Sequence, residues 1–293
     1  MKQFYLTEIV TNDKLIHQGI YFKPRKLSKR AILFIHGLTS TFYAPIQLLE
    51  KVVSQCEKEG YGFAAFNNRG HDLIAGIKKV DPLEDKGYSR VNGGAGDEKF
   101  EECIYDIDAG IDFLIGQKYS EIILVGHSTG ATKVCYYAAR KQNKYVKGVV
   151  LLSPLSDRLV PTNPEKRRND LLKINRLIYS KRGDELLLGY HFFPLTPKRY
   201  VSLFTLHSNE DMFDYGDPHP TMKPYIQITK PLLVVFGGAD ESADRPVEQI
   251  KNIFDSYARS KTYTSIIITD ALHSFGGKEA EVTRVILRWV SKI

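Results

Sequence analysis

The sequence predicts an α/β protein: a mostly parallel central sheet with helices on both faces and a cap insertion in the second half of the chain. Three observations lead there. Short apolar runs such as Ala31–Ile35, Val146–Leu152 and Leu232–Phe236 are continuous rather than alternating, as in strands buried on both faces. Between them lie segments whose apolar residues recur at helical spacing. One long stretch, 155–229, then breaks the alternation.

Taken in order, residues 1–24 read as a hairpin, Phe4–Val10 and Leu15–Phe22 flanking Thr11-Asn12-Asp13. Ala31–Ile35 is a central strand closed by His36-Gly37, and 44–59 a helix ended by Gly60. Phe63–Phe66 is a second strand, opening into Asn67-Asn68-Arg69-Gly70. Residues 73–96 show little periodicity and read as a long loop, in which Gly93-Gly94-Ala95-Gly96 is expected to be flexible and at the surface; without a following Lys-Ser/Thr it is no phosphate loop. Phe100, Cys103, Ile104, Ile107, Ile111 and Leu114 share one helix face. Strands at Ile122–Val125, Val146–Leu152, Leu232–Phe236 and Ser265–Ile268 follow, with helices to about Arg140, at Val247–Ser256 and at Glu279–Val290. The expected organisation is a core of 1–154 and 230–293, with 155–229 as a cap or lid.

Composition fits a soluble globular chain: 43% hydrophobic and 26% charged over 293 residues, enough to bury a core unaided. Three cysteines, without ligand spacing, argue against disulfides or a metal site, and no cofactor is implied. No basic-then-apolar leader and no run long enough to span a bilayer is present, so the expected compartment is the cytoplasm, without stable membrane insertion. The net charge of +7 is spread among acids. Its densest cluster, Lys166, Arg167, Arg168, Lys173, Arg176, Lys181 and Arg182, is interleaved with Glu165, Asp170 and Asp184, which reads as a solvated helix face rather than a nucleic-acid surface.

The chemistry centres on Gly126-His127-Ser128-Thr129-Gly130, a G-x-S-x-G between a strand and a helix. A serine on such a turn stands above the sheet edge in a strained conformation. The amide of Thr129 at the helix start is then one expected oxyanion donor, and that of Leu38, after the first central strand, the other. Serine needs a base, and His273 stands on the loop between the last strand and the last helix. The orienting acid is expected at the end of the preceding strand, where Asp240 lies; Glu241, Asp244 and Asp270 are alternates. His36 reads as a structural hydrogen bonder. Together these imply acyl transfer to water through an acyl-enzyme.

With these motifs in order, the chain resembles the α/β-hydrolase superfamily over roughly 30–154 and 230–293. Asn67 and Asp72 depart from the Asp and Gly that many relatives carry, so only a loop role is taken over there. Leu195 to Leu203, Asp211-Met212-Phe213 and Ser153-Pro154 before Ser156-Asp157-Arg158 also resemble a little-described, mainly fungal hydrolase family that includes siderophore esterases. The resemblance implies a serine hydrolase acting on a small-molecule ester, that is, a carboxylesterase. The same triad also serves amidases, peptidases and thioesterases, and the fold serves non-catalytic binding proteins. Dehalogenases and epoxide hydrolases carry Asp where Ser128 stands. In 155–229, Tyr190, Phe192, Phe193, Tyr200 and Phe204 either line a substrate pocket or pack this segment onto the core.

Overall fold

A computed structural model of the protein describes residues 3–159 and 163–293. Its strands are β1 (Tyr5–Val10), β2 (Leu15–Phe22), β3 (Arg30–Ile35), β4 (Gly62–Phe66), β5 (Ala75–Val80), β6 (Tyr88–Gly93), β7 (Glu121–His127), β8 (Val146–Leu152), β9 (Leu232–Gly237) and β10 (Tyr263–Ile268). The helices are α1 (Ile46–Glu59), α2 (Cys103–Gly116), α3 (Thr129–Arg140), α4 (Pro164–Tyr179), α5 (Pro197–Phe204), α6 (Lys223–Ile226), α7 (Val247–Tyr257) and α8 (Glu279–Val290). The strands form one sheet in the order β10-β9-β8-β7-β3-β4-β2-β5-β6, with β1 paired to β2. From β4 to β10 every pairing is parallel; β1, β2, β5 and β6 pair antiparallel.

The continuous apolar runs divide between the two faces by strict alternation. Ala31, Leu33 and Ile35 join Leu124, Leu151 and Val234 in a core covered by α2, α3 and α7. Ile32 and Phe34 join Val125, Leu152 and Val235 under α1 and α8. Each helix buries one stripe, for instance Leu48, Leu49, Val52, Val53 and Cys56 of α1. Cys56, Cys103 and Cys135 are all buried and unpaired. No helix of the described residues is long and apolar enough to cross a membrane.

Residues 73–96 depart from the expected loop. They hold the β5–β6 hairpin, which the sequence does not betray because Ile77 alone of β5 is buried and no apolar alternation results. Nor is Gly93–Gly96 a flexible surface segment: all four residues are buried. A Cβ on Gly96 would stand 2.0 Å from the Pro194 carbonyl oxygen, and the Gly96 carbonyl accepts the Thr196 amide at 2.8 Å. This glycine lets the 155–229 segment lie directly on the chain that precedes α2.

That segment has its own small core of Ile174, Phe193, Leu195, Tyr200, Leu203 and Phe204 around Ala95. Asn163 caps α4 by accepting the amides of Glu165 and Lys166, and Thr196 caps α5 by accepting that of Arg199. Lys166, Arg168, Lys173 and Arg176 of α4 face solvent, with Lys166 paired to Asp170, whereas Arg167 of the same cluster is half-buried with its guanidinium over the Phe204 ring. Arg199, fully buried, fastens α5 to the rest of the molecule. Its guanidinium donates to the Ala95 carbonyl at 2.8 Å, to Glu98 at 2.9 Å and to both oxygens of Glu210. Glu98 in turn pairs with buried Lys133 of α3.

Removing one partner from such a buried cluster strands the other charges. Arg199→Met is expected to cost about 3–5 kcal/mol of unfolding free energy. A thermal melt checks this, and the double change Arg199→Met with Glu210→Leu should recover part of the loss.

Candidate active site

The turn at the end of β7 reverses so tightly that Ser128 takes φ 56° and ψ −128°. Two glycines make room for it. A Cβ on Gly126 would stand 2.2 Å from the Gly130 carbonyl oxygen, and one on Gly130 the same distance from that of Ile35. The turn is held from both sides, the Ser128 amide donating to Leu152 O at 2.9 Å and its carbonyl accepting the Ala131 amide at 2.8 Å.

His273 lies beyond β10, where its Nε2 is 2.8 Å from Ser128 Oγ. Its Nδ1 is 2.9 Å and 3.0 Å from the two carboxylate oxygens of Asp240, which follows β9. The structure thus brings Ser128, His273 and Asp240 into one continuous hydrogen-bonded line. Burial works against a charged His273, but the hydrogen bond and charge of Asp240, helped by Asp157 and Glu241, outweigh it and leave the imidazole pKa raised. Of the alternates, Glu241 accepts the His273 backbone amide at 2.9 Å, Asp244 pairs with Arg245 and Asp270 sits at a positive-φ turn position.

Gly37 passes so close to Ser128 that an added Cβ would meet the serine Cβ at 2.9 Å, which places the neighbouring Leu38 at the pocket wall. Neither the Leu38 amide nor that of Thr129 donates to a protein acceptor among the described residues. His36 is buried and burial lowers its pKa to about 3, so it is neutral: Nδ1–H donates to the Gly37 carbonyl at 3.0 Å and Nε2 accepts the Asn68 amide at 3.2 Å. It ties the loop after β3 to the loop after β4. There Arg69 pairs with Asp106, which also meets His17, so Asn67 to Gly70 forms a buried polar hub.

Sequence reasoning missed three contacts. His127, the variable residue of the turn, donates Nε2–H to the His273 carbonyl at 2.8 Å; burial lowers its pKa to about 4, which keeps it neutral. Asp157 accepts the Thr129 hydroxyl at 3.0 Å. His191, which stands in the irregular stretch 155–229, packs on Phe192 and Phe204 in the pocket wall. The pocket, about 210 Å³, is lined by Leu38, Ser128, His273 and Ser242 from one side and by Leu155, Asp157, His191, Phe192, Leu203 and Phe204 from the other. The aromatics of 155–229 therefore divide: Phe192 lines the pocket, Phe204 both lines it and belongs to the segment's own core, and Phe193 and Tyr200 pack within that core with Tyr190 against it.

Among the described residues, one group of side chains brings metal-ligating atoms together: His207, Asp211 and Asp217, within 4.8 Å of one another. Arg158 already pairs with both carboxylates, at 2.8 Å and 3.1 Å, so a cation occupies that place.

The family described as "Protein of unknown function (DUF1749)" matches residues 88–292. A "Putative esterase/lipase 2" of Mycoplasma pneumoniae is 26% identical over 231 residues, 76% of each chain. Among solved structures, the α/β hydrolase GrgF of Penicillium sp. sh18 is similar with a TM-score of 0.71 at 14% identity, over 99% of this chain and 98% of its own. The siderophore hydrolase EstB of Aspergillus fumigatus is similar with a TM-score of 0.63 at 16% identity, over 98% of each. The fold is that of the α/β hydrolases.

Since Asp240 is what holds the His273 pKa up against burial, Asp240→Asn is expected to shift the imidazole titration to lower pH. Following the ring resonances of His273 by NMR across pH checks this, and an unchanged titration would contradict the electrostatic assignment.

Proposed function

The chain belongs to the DUF1749 family, and from the site within it we propose a serine hydrolase that cleaves carboxylic esters through an acyl-enzyme on Ser128. The observation that carries the reading is the unbroken line Ser128 Oγ–His273 Nε2–His273 Nδ1–Asp240, with spacings of 2.8 Å and 2.9 Å. A base at that distance can take the hydroxyl proton as the oxygen attacks.

In the first half-reaction Ser128 Oγ bonds to the ester carbonyl carbon while its proton passes to His273 Nε2. The carbonyl oxygen becomes an oxyanion and accepts hydrogen bonds from the Leu38 and Thr129 amides, donors fixed in place before the charge develops. Collapse breaks the bond to the alcohol oxygen, which leaves with the proton from His273. In the second half a water attacks the acyl carbon, gives its proton to His273, and the intermediate collapses to the acid as Ser128 regains the proton. Asp240 stays ionised throughout, holding the Nδ1–H tautomer and stabilising the imidazolium.

Residues 155–229 act in this reading as a cap, because Leu155, Asp157, His191, Phe192, Leu203 and Phe204 close the pocket over Ser128. Esters are favoured over amides by the name of the Mycoplasma relative and over a purely binding role by the completeness of the hydrogen-bonded line. A pocket of about 210 Å³ suits a short or medium acyl group.

Hydrolysis of p-nitrophenyl acetate, butyrate and octanoate tests the reading. Ser128→Ala is expected to lower kcat by about 10³-fold or more, with acetate and butyrate preferred over octanoate. Equal rates in the variant would overturn it. His273 must be neutral to accept the proton, and its pKa stands above the ordinary 6.5. So kcat/KM should fall on acidification through an inflection above that value, measured as a pH–rate profile.

A further inference from the structure

The pocket holds a carboxylate that the hydrolytic steps leave unused. Asp157 lies shortly after β8, half-buried, in the wall of the pocket that His273 also lines. Its Oδ2 accepts the Thr129 hydroxyl at 3.0 Å. Its Oδ1 has no donor among the described residues and is not sealed from solvent, so it opens to the pocket. The charged and titratable groups around it are Glu210, Arg199, His273 and Tyr215, with His191 lining the same pocket. Arg199 and His273 draw its pKa down through space, but among the described residues none of these groups forms an ion pair with it. Arg199 is taken up by Ala95 O, Glu98 and Glu210. His191 is kept neutral, its pKa lowered to about 4 by burial and by Arg199 and Lys166, and His273 is bound to Asp240.

An unpaired carboxylate among Leu38, Leu155, Leu203, Phe192 and Phe204 is costly to keep. It also carries its negative charge on the side chain of the residue whose amide would receive the oxyanion, where like charge opposes the reaction. Burial, reinforced by Glu210, pushes Asp157 up to about 6, so it is ionised at mildly alkaline pH. A substrate that brings its own positive charge removes both penalties at once: it pairs with Oδ1 and cancels the field beside the oxyanion.

We propose that Asp157 is a specificity-determining residue that selects esters bearing a protonated amine close to the scissile bond. The ammonium donates to Asp157 Oδ1 while the carbonyl sits between Ser128 and the two amides. This rests on the esterase reading and narrows its substrate class. Asp157 bonds the side chain next to Ser128, so the amine should lie only a few bonds from the ester carbonyl.

The test compares isosteric pairs at pH 8 in the wild type and Asp157→Asn, whose amide oxygen can still accept the Thr129 hydroxyl. On the acyl side the pair is p-nitrophenyl 3-aminopropanoate and butanoate; on the alcohol side, 2-aminoethyl and propyl butanoate. Intrinsic reactivity cancels when the ratio of kcat/KM within a pair is compared between the two proteins. In at least one pair the wild-type ratio is expected to exceed that of Asp157→Asn by about 10-fold to 100-fold, the range of a hydrogen bond to a charged group. Ratios that agree in both pairs would overturn the proposal. A second readout needs no turnover. Butylammonium chloride should raise the wild-type Tm above sodium chloride and 1-butanol at matched concentration and leave Asp157→Asn at the control value, by linkage. The same Tm with all three additives would overturn it too. Hydrolysis by Ser128→Ala at the wild-type rate would sink the esterase reading instead, and the Tm comparison would still decide on Asp157.

Discussion

At φ 56° and ψ −128°, Ser128 occupies backbone space that a side chain enters only at a cost of about 1–3 kcal/mol. A free chain would relax out of it. Here relaxation is blocked because β7 on one side and α3 on the other are buried in the sheet and its covering layer, with one residue to join them. The glycines at 126 and 130 follow from the same demand: α3 must leave the sheet against the end of β3, and no Cβ fits in the gap. Once that turn is set, the hydroxyl stands at the carboxyl ends of the parallel strands, where loops after β3, β9 and β10 converge. The parallel sheet is thus the device that stores the strain, and the reactive geometry is where it is spent.

A second constraint governs the other half of the pocket. The 155–229 segment has a modest core of its own, and what fastens it is electrostatic: Arg199 reaches across to Glu98, and Glu98 reaches Lys133 on α3, the helix that starts at Ser128. Each of these charges would be prohibitive alone in the interior, and together with Glu210 they satisfy one another. The wall bearing Asp157, His191 and Phe204 is therefore registered against the very helix whose first turn supplies Thr129.

The sheet was readable because strands buried on two faces leave uninterrupted apolar runs, and the serine turn because its glycines sit between such a run and a helix. Order along the chain then singles out Asp240 and His273, which the fold brings within hydrogen-bond reach of each other and of Ser128. What escaped reading lacks a local signal. The β5–β6 hairpin is solvated on most of its surface, so nothing in its pattern alternates. Gly93–Gly96 looks like loose chain until Pro194, a hundred residues on, is seen lying on it. His127 meeting the carbonyl of His273, and Glu241 meeting its amide, are pairings across distant segments, and any histidine or glutamate at those positions reads alone as an ordinary loop residue. Asp157 was visible as part of Ser156-Asp157-Arg158, but its bond to Thr129 depends on how the chain leaves β8.

The three buried cysteines have a practical meaning beyond packing. Cys56, Cys103 and Cys135 are solvent-inaccessible and burial raises their thiol pKa values, so thiolate, the reactive form, is scarce and shielded. Alkylating and maleimide reagents are therefore expected to leave the folded protein unlabelled. A single cysteine introduced at an exposed position such as Leu188 would be the one reactive thiol of the native molecule. It would carry a fluorophore or spin label free of background from the wild-type sequence.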